Sequence, residues 1–371
     1  MKLEFGGLLL LLLISGSQIV WSQTQESEDL RLWYKQPDTN WMQQALPIGN
    51  GRIGAMIFGG VAEEHIQFNE KSVWSGKINS NRNADLIKNM PEIQDLLAQG
   101  NVLKADSIYK HSGYNKYNGA TSIDDFGAYQ PFGDIKLKFQ DHEGGLKNYV
   151  RHLDLSKSTA GVQYTTGGVD YTRTYFCSYP AQVLVMQLTA SQPGKLSVEV
   201  EGQMPHAPQG KVSVDKQFDL LFSGKMPESG LLYNARLRVI TNGVRSMAGT
   251  NGVKVTKAST ITLILAANTN YQMKWSDVLS ATNPANLSAD QVNAAAKLSY
   301  DQLLQTHISD YSRLFTKVNF QLEDIVNGKS LPTDQRLAAY QKNNREKGNS
   351  RDLGLEALLF HYGRYLLISS S

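Results

Sequence analysis

The chain of 371 residues has a single cysteine, Cys177, so no intramolecular disulfide can form. With no cysteine near the N-terminus, a lipid-anchored lipoprotein is not expected. Charge of one sign is also missing. Lys+Arg 37 against Asp+Glu 34 leaves a net charge of +3, with no block of like charges, so neither nucleic acid nor a membrane surface is an expected partner. The seven histidines are scattered, with no His-x-x-x-His pair and no cysteine cluster, which argues against zinc. There is no Gly-x-Ser-x-Gly elbow for an esterase and no loop with calcium-ligand spacing. No cofactor and no metal-ligating site residues are therefore expected, and a structural calcium ion is left open.

Long apolar runs are equally scarce. Residues 8–13 are an unbroken leucine run behind Met1-Lys2, extended by Ile14 and, after Ser-Gly-Ser, by Ile19-Val20. Small residues follow near Ser22. This core is too short for a membrane span and reads as a signal peptide over residues 1–22, with the mature protein exported to the periplasm or secreted. Stability without disulfides must then come from core size. Hydrophobic residues make up 41% of the chain and charged residues 19%, enough for a large core. Seventeen tyrosines and five tryptophans supply flat faces that suit sugar rings, although aromatics at strand positions ordinarily pack.

Residues 23–275 are dominated by strand patterns. β-rich runs at 182–188 and 195–200 flank Ser191-Gln192-Pro193-Gly194, a hairpin signal. Further strands are expected at 232–240, closed by Thr241-Asn242-Gly243, and at 253–255 after the turn Thr250-Asn251-Gly252. Residues 261–267 are apolar enough for a central buried strand. The prediction is a mainly β protein, a large antiparallel β-sandwich. Residues 85–110 interrupt it as a helical insertion near a sheet edge, with Pro91 opening a second segment and Gly100-Asn101 separating two helices.

Residues 276–350 read as a helical linker. One long helix is expected after residues 286–290, buried through Leu304, Ile308, Tyr311 and Phe315. The alternation Val318, Phe320, Leu322 predicts a short strand, Leu331-Pro332-Thr333-Asp334 a helix start, and residues 341–351 a loop. Residues 351–371 then open a helical domain, with Leu355, Leu358, Leu359, Tyr362 and Leu366 as the buried stripe. Only Ser369-Ser370-Ser371 follow, with no Gly, Asn or Pro stop signal, so the chain is expected to be the front part of a longer protein.

Asn69, Glu70 and Trp74 form the most site-like cluster. An amide, a carboxylate and an indole suit a sugar's hydroxyls and ring face; the same residues can equally end a strand, bond a turn and seal a domain interface. Gly49, Gly51 and Gly54 around Asn50 and Arg52 mark a tight turn where backbone bends or approaches a neighbour. No Lys-Ser/Thr pair follows them, and the reading is a hairpin rather than a phosphate loop. Glu63, Glu64, Glu70, Asp124, Asp125 and Asp134 are the candidate acids, Asp134 as a turn former, but no spacing holds two of them as an acid–base pair.

Five segments together resemble glycoside hydrolase family 95: 45–56 (ALPIGNGRIGAM), 66–76 (IQFNEKSVWSG), 129–134 (YQPFGD), 307–315 (HISDYSRLF) and 360–371 (FHYGRYLLISSS). The resemblance implies a family 95 N-terminal sandwich, a linker and the first helix of an (α/α)6 catalytic barrel. It also implies α-L-fucosidase activity, or α-L-galactosidase activity, with inversion, on a fucosylated oligosaccharide or glycan. The family's catalytic groups match no residue here and are expected beyond residue 371. The alternatives are a non-catalytic carbohydrate-binding or scaffold module, and the front of a related sugar phosphorylase.

Overall fold

The computed structural model describes residues 30–371 apart from 39, 43, 77–83, 115–127, 141, 143–144, 206–209, 275–276, 323–329 and 348–351. The signal-peptide assignment at 1–22 lies outside the described residues. The fold is mainly β, built from two antiparallel sheets followed by helices.

The strands in chain order are β1 (Arg31–Tyr34), β2 (Leu46–Gly49), β3 (Ile53–Ile57), β4 (Glu63–Glu70), β5 (Gly133–Phe139), β6 (Lys147–Asp154), β7 (Thr159–Thr166) and β8 (Val169–Ser178). They continue as β9 (Val183–Ala190), β10 (Leu196–Gln203), β11 (Gly210–Val214), β12 (Leu220–Lys225), β13 (Leu232–Thr241), β14 (Val244–Ala248), β15 (Gly252–Ala258) and β16 (Thr260–Thr269). One sheet has nine strands in the order β1-β6-β7-β8-β9-β16-β13-β12-β11; the other has seven, β14-β15-β10-β5-β4-β3-β2. Their inner faces share one core, with Ile66, Phe68 and Leu137 from the smaller sheet and Tyr175, Leu184 and Leu265 from the larger. Each such fully buried side chain contributes roughly 2 kcal/mol through removal of apolar surface from water.

The strand at 261–267 is central, as its unbroken apolarity predicts. β16 lies between β9 and β13 and is covered on both faces. Its outer residues Ile264 and Ala266 join Phe176, Val183 and Val185 beneath α3 (Pro284–Ala295) and α4 (Tyr300–Phe315), which contribute Val292, Ala295 and Leu303. The turn at residues 191–194 is not a hairpin. β9 pairs with β8 and β16, while β10 pairs with β15 and β5, so this turn carries the chain from one sheet to the other. A period-2 pattern shows that a strand has one buried face; it does not show which strand is its neighbour.

The helical insertion contains α1 (Ala84–Ala98) and α2 (Val102–Tyr109), and a π-helical turn follows at Lys110–Tyr114. Pro91 sits inside α1 rather than opening a new segment. The insertion joins β4 to β5, which are interior neighbours of the smaller sheet and not edge strands. The pair has its own small core of Ile93, Leu96 and Ala105.

Beyond the sandwich, the single helix expected after residue 286 is two helices. The second begins at a capping box in which Ser299 and Gln302 bond each other's backbone N–H groups. The buried stripe of α4 is Leu303, His307, Tyr311 and Phe315, one position away from the predicted Leu304 and Ile308. The histidine completes it because Nε2 meets the carbonyls of Lys157 and Ser158, each at 3.0 Å. Val318, Phe320 and Leu322 form no strand. Their segment instead offers carbonyls, Val318 to Arg364 and Phe320 to His361. α5 (Thr333–Lys347) runs through the predicted loop as far as residue 347, and 348–351 lie outside the described residues. α6 (Leu353–Ser369) is capped by Asp352, whose carboxylate accepts from the Leu355 N–H and holds Arg336 at 2.7 and 2.6 Å. It buries Ala357, Leu358, His361, Tyr365 and Ser369, whereas Leu359 is 67% exposed. An all-round apolar sequence left the buried side of this helix to its neighbours.

Candidate functional site

β4 decides how the predicted cluster is arranged. Its residues alternate, Glu64, Ile66, Phe68 and Glu70 facing inward and His65, Gln67 and Asn69 lying on the other face. Asn69 and Glu70 are therefore on opposite faces and do not form one site.

Glu70 points into the sandwich. Its Oε2 accepts from the Ser72 N–H at 2.9 Å and from the Ser72 hydroxyl at 2.6 Å, and that hydroxyl meets Thr269 Oγ1 at 2.6 Å. Burial pushes the Glu70 carboxyl above its ordinary pKa, opposed by the Ser72 bonds and the nearby Arg52 charge. Trp74 stands at the surface, half exposed. Its indole N–H donates to the Lys71 carbonyl at 3.0 Å, and its ring lies 5.6 Å from that of Tyr129, across an isolated β-bridge. Burial, with the Glu70 charge, pushes the Tyr129 phenol up to about 12.

Asn69 instead borders an open cavity of about 630 Å³ shared with Trp41, Lys71, Tyr129 and, from α6, Tyr365 and Leu366. The exposed rings of Trp41 and Tyr129, an amide and an ammonium are groups that bind sugars. A second cavity of about 620 Å³ lies between α4 and α6, where His307, Tyr311 and Arg364 are already bonded to backbone carbonyls.

The candidate acids are engaged singly. Glu64 is wholly buried against Arg173 and Tyr175, and Glu63 reaches Lys136 at 3.6 Å from the opposite face. Asp134 is not a turn residue: it lies within β5, 2.6 Å from His65 Nε2. A run of alternating apolar residues follows it, and that pattern outweighs the turn signal of Pro-Phe-Gly. Asp124 and Asp125 lie outside the described residues. Among the described residues no three His, Cys, Asp or Glu side chains gather as a metal site, and no helix is long and apolar enough to cross a membrane.

A polar network around Arg52 is the main feature that sequence reasoning missed. Gly49, Gly51 and Gly54 have the spacing of a dinucleotide fingerprint, but they join the antiparallel strands β2 and β3, with no helix behind to take a phosphate. Asn50 shapes the turn, Oδ1 accepting from the N–H groups of Arg52 and Ile53 at 3.1 and 2.8 Å. Its Nδ2 donates to the Ser178 carbonyl at 2.9 Å. The Arg52 guanidinium donates to Gln182 Oε1 at 2.8 Å and to Asn268 Oδ1, and Asn268 in turn donates to Gln291 of α3. The only signal in the sequence was an arginine inside a glycine turn.

Residues 32–274 match the model described as "Glycosyl hydrolase family 65, N-terminal domain", and residues 299–371 match "Glycosyl hydrolase family 95 catalytic domain". The chain is 31% identical to Alpha-L-fucosidase 2 of Arabidopsis thaliana over 93% of its own length and 42% of the relative's. It is 28% identical to Probable alpha-fucosidase A of Aspergillus niger, over 92% of this chain and 43% of that protein. The corresponding protein of Aspergillus oryzae is 26% identical, over 88% and 45%. The chain thus spans less than half the length of these curated relatives.

Proposed function

We propose, from the premise that this chain belongs to glycoside hydrolase family 95 and carries the family 65-type N-terminal domain, that the whole protein is an exported α-L-fucosidase. The observation that carries this reading is the alignment of 93% of the chain with a relative named Alpha-L-fucosidase 2. Its substrate would be a terminal α-L-fucosyl linkage in an oligosaccharide or glycan, cleaved with inversion. Inversion needs an acid and a water-activating base roughly 6.5–9.5 Å apart, both free to reach the sugar. Glu64, Glu70 and Asp134 are each held by partners of their own, so none is assigned a catalytic role here. We place both groups in the remainder of the whole protein.

The test is release of fucose from a chromogenic α-L-fucoside by the full-length gene product and by the 371-residue chain, with the first-formed anomer read by NMR. The full-length product is expected to release β-L-fucose without phosphate, and the chain alone to release none. A phosphate requirement would make the protein a phosphorylase, and turnover by the chain alone would move the reaction centre into it. Sugar binding without any turnover would leave a carbohydrate-binding module. Export is tested separately by N-terminal sequencing of the periplasmic protein, which should begin near Gln23.

A further inference from the structure

We propose that the hairpin of β2 and β3 is a clamp that seats the C-terminal end of α6 on the sandwich, with Gly49 as its positioning residue. This rests on the family reading, because α6 lies within the segment matching the catalytic domain.

Three alternate hairpin positions meet one face of the helix. The Pro47 carbonyl accepts from the Tyr365 hydroxyl at 2.6 Å. A Cβ at Gly49 would stand 2.6 Å from the Ser369 carbonyl oxygen. The Gly51 N–H donates to that same oxygen at 2.8 Å, and a Cβ on Gly51 would overlap the Ser371 carbonyl. Alternate strand residues are roughly 6.6 Å apart and one helical turn rises about 5.4 Å, so residues 47 and 49 can follow the turn from 365 to 369.

The hairpin is itself held rigid from behind. It belongs to the smaller sheet, yet Asn50 bonds Ser178 and Arg52 bonds Gln182 and Asn268, all from the larger sheet or the turn after β8. The helix is therefore seated against both sheets at once. Gly54 provides the contrast. It faces Gly49 across the ladder, but a Cβ there would come no closer than 3.8 Å to the Ile48 carbonyl oxygen. Glycine at 49 is required by the helix and not by the sheet. Its φ is not in the left-handed region either, so alanine there adds no backbone strain.

The test uses the full-length protein with Gly49→Ala, Gly54→Ala as control and Tyr365→Phe as a milder lesion. Hydrogen exchange and steady-state kinetics are measured on each. Gly49→Ala should speed amide exchange in residues 353–369 by about fivefold or more, roughly the loss of one hydrogen bond, while β8, β9 and β16 stay as protected as in the wild type. It should lower kcat with KM nearly unchanged, as misplacement of catalytic groups does. Gly54→Ala should change neither. Unaltered exchange in both Gly49→Ala and Tyr365→Phe overturns the clamp, as does equal loosening by the two glycine variants. If Gly49→Ala does not fold, Tyr365→Phe decides alone by the same exchange criterion. A wild type that exchanges as expected but releases no fucose defeats the proposed function and leaves the clamp standing.

Discussion

Glu64 and Arg173 meet between the two sheets, Oε2 to Nη1 at 3.0 Å, and neither side chain is more than 1% exposed. The same carboxylate accepts from the Tyr175 hydroxyl at 2.9 Å and from the Gly59 N–H at 2.7 Å. Arg173 also donates to the carbonyls of Gly60 and Val61, and the Phe139 ring lies 4.1 Å from its guanidinium carbon. The pair fastens the β3–β4 turn to β8, across the core.

Removing the charge of one partner leaves the other buried and uncompensated. Glu64→Gln should therefore lower stability by about 3 kcal/mol, read as a drop in the urea midpoint at constant slope. A loss below about 1 kcal/mol would mean that water reaches the pair. Since Glu64 is assigned no chemistry, any full-length variant that folds should keep its kcat.

His152 gives stability a pH dependence of known sign. Burial, helped by the Arg31 and Lys157 charges and opposed by Asp154, lowers its pKa from 6.5 to about 4. The unfolded chain therefore binds a proton below pH 6.5 that the folded chain refuses down to about pH 4. Stability is complete above that window and falls as the pH drops through it, by up to about 3 kcal/mol from this group. His152→Gln should flatten this part of the curve in denaturation series between pH 7 and 4. An unchanged slope would show that His152 is hydrated in the folded state.

Cys177 is 2% exposed, and burial pushes its thiol far above the ordinary range. It should resist iodoacetamide in the native protein and react fully in urea, as followed by mass spectrometry. Native labelling at the unfolded rate would show that the adjoining cavity between α4 and α6 opens far enough to expose it.

The apolar run at 261–267 was legible because burial on both faces leaves no polar side. Likewise Asn50 among glycines announced its turn through backbone conformation alone. The pairing partners of β10 were not legible, since alternation fixes a face and not a neighbour. The buried side of α6 was only partly legible: the predicted stripe caught Leu358 but also took in the exposed Leu359 and Leu366, because apolar residues lie all round this helix. The split of Asn69 from Glu70 could be anticipated once a strand was assumed, whereas the joining of Arg52 to Asn268 and Gln291 spans more than two hundred residues and follows no local pattern.

By itself, the sequence determined the class of fold, because strand periodicity, turn chemistry and helix caps act over a few residues, and local sterics enforce them. The tertiary structure alone decided which acids are spent on the core, which glycine makes room for a helix, and which face of that helix is covered. Those outcomes depend on contacts between segments far apart in the chain, whose energies exist only after the sheets have packed.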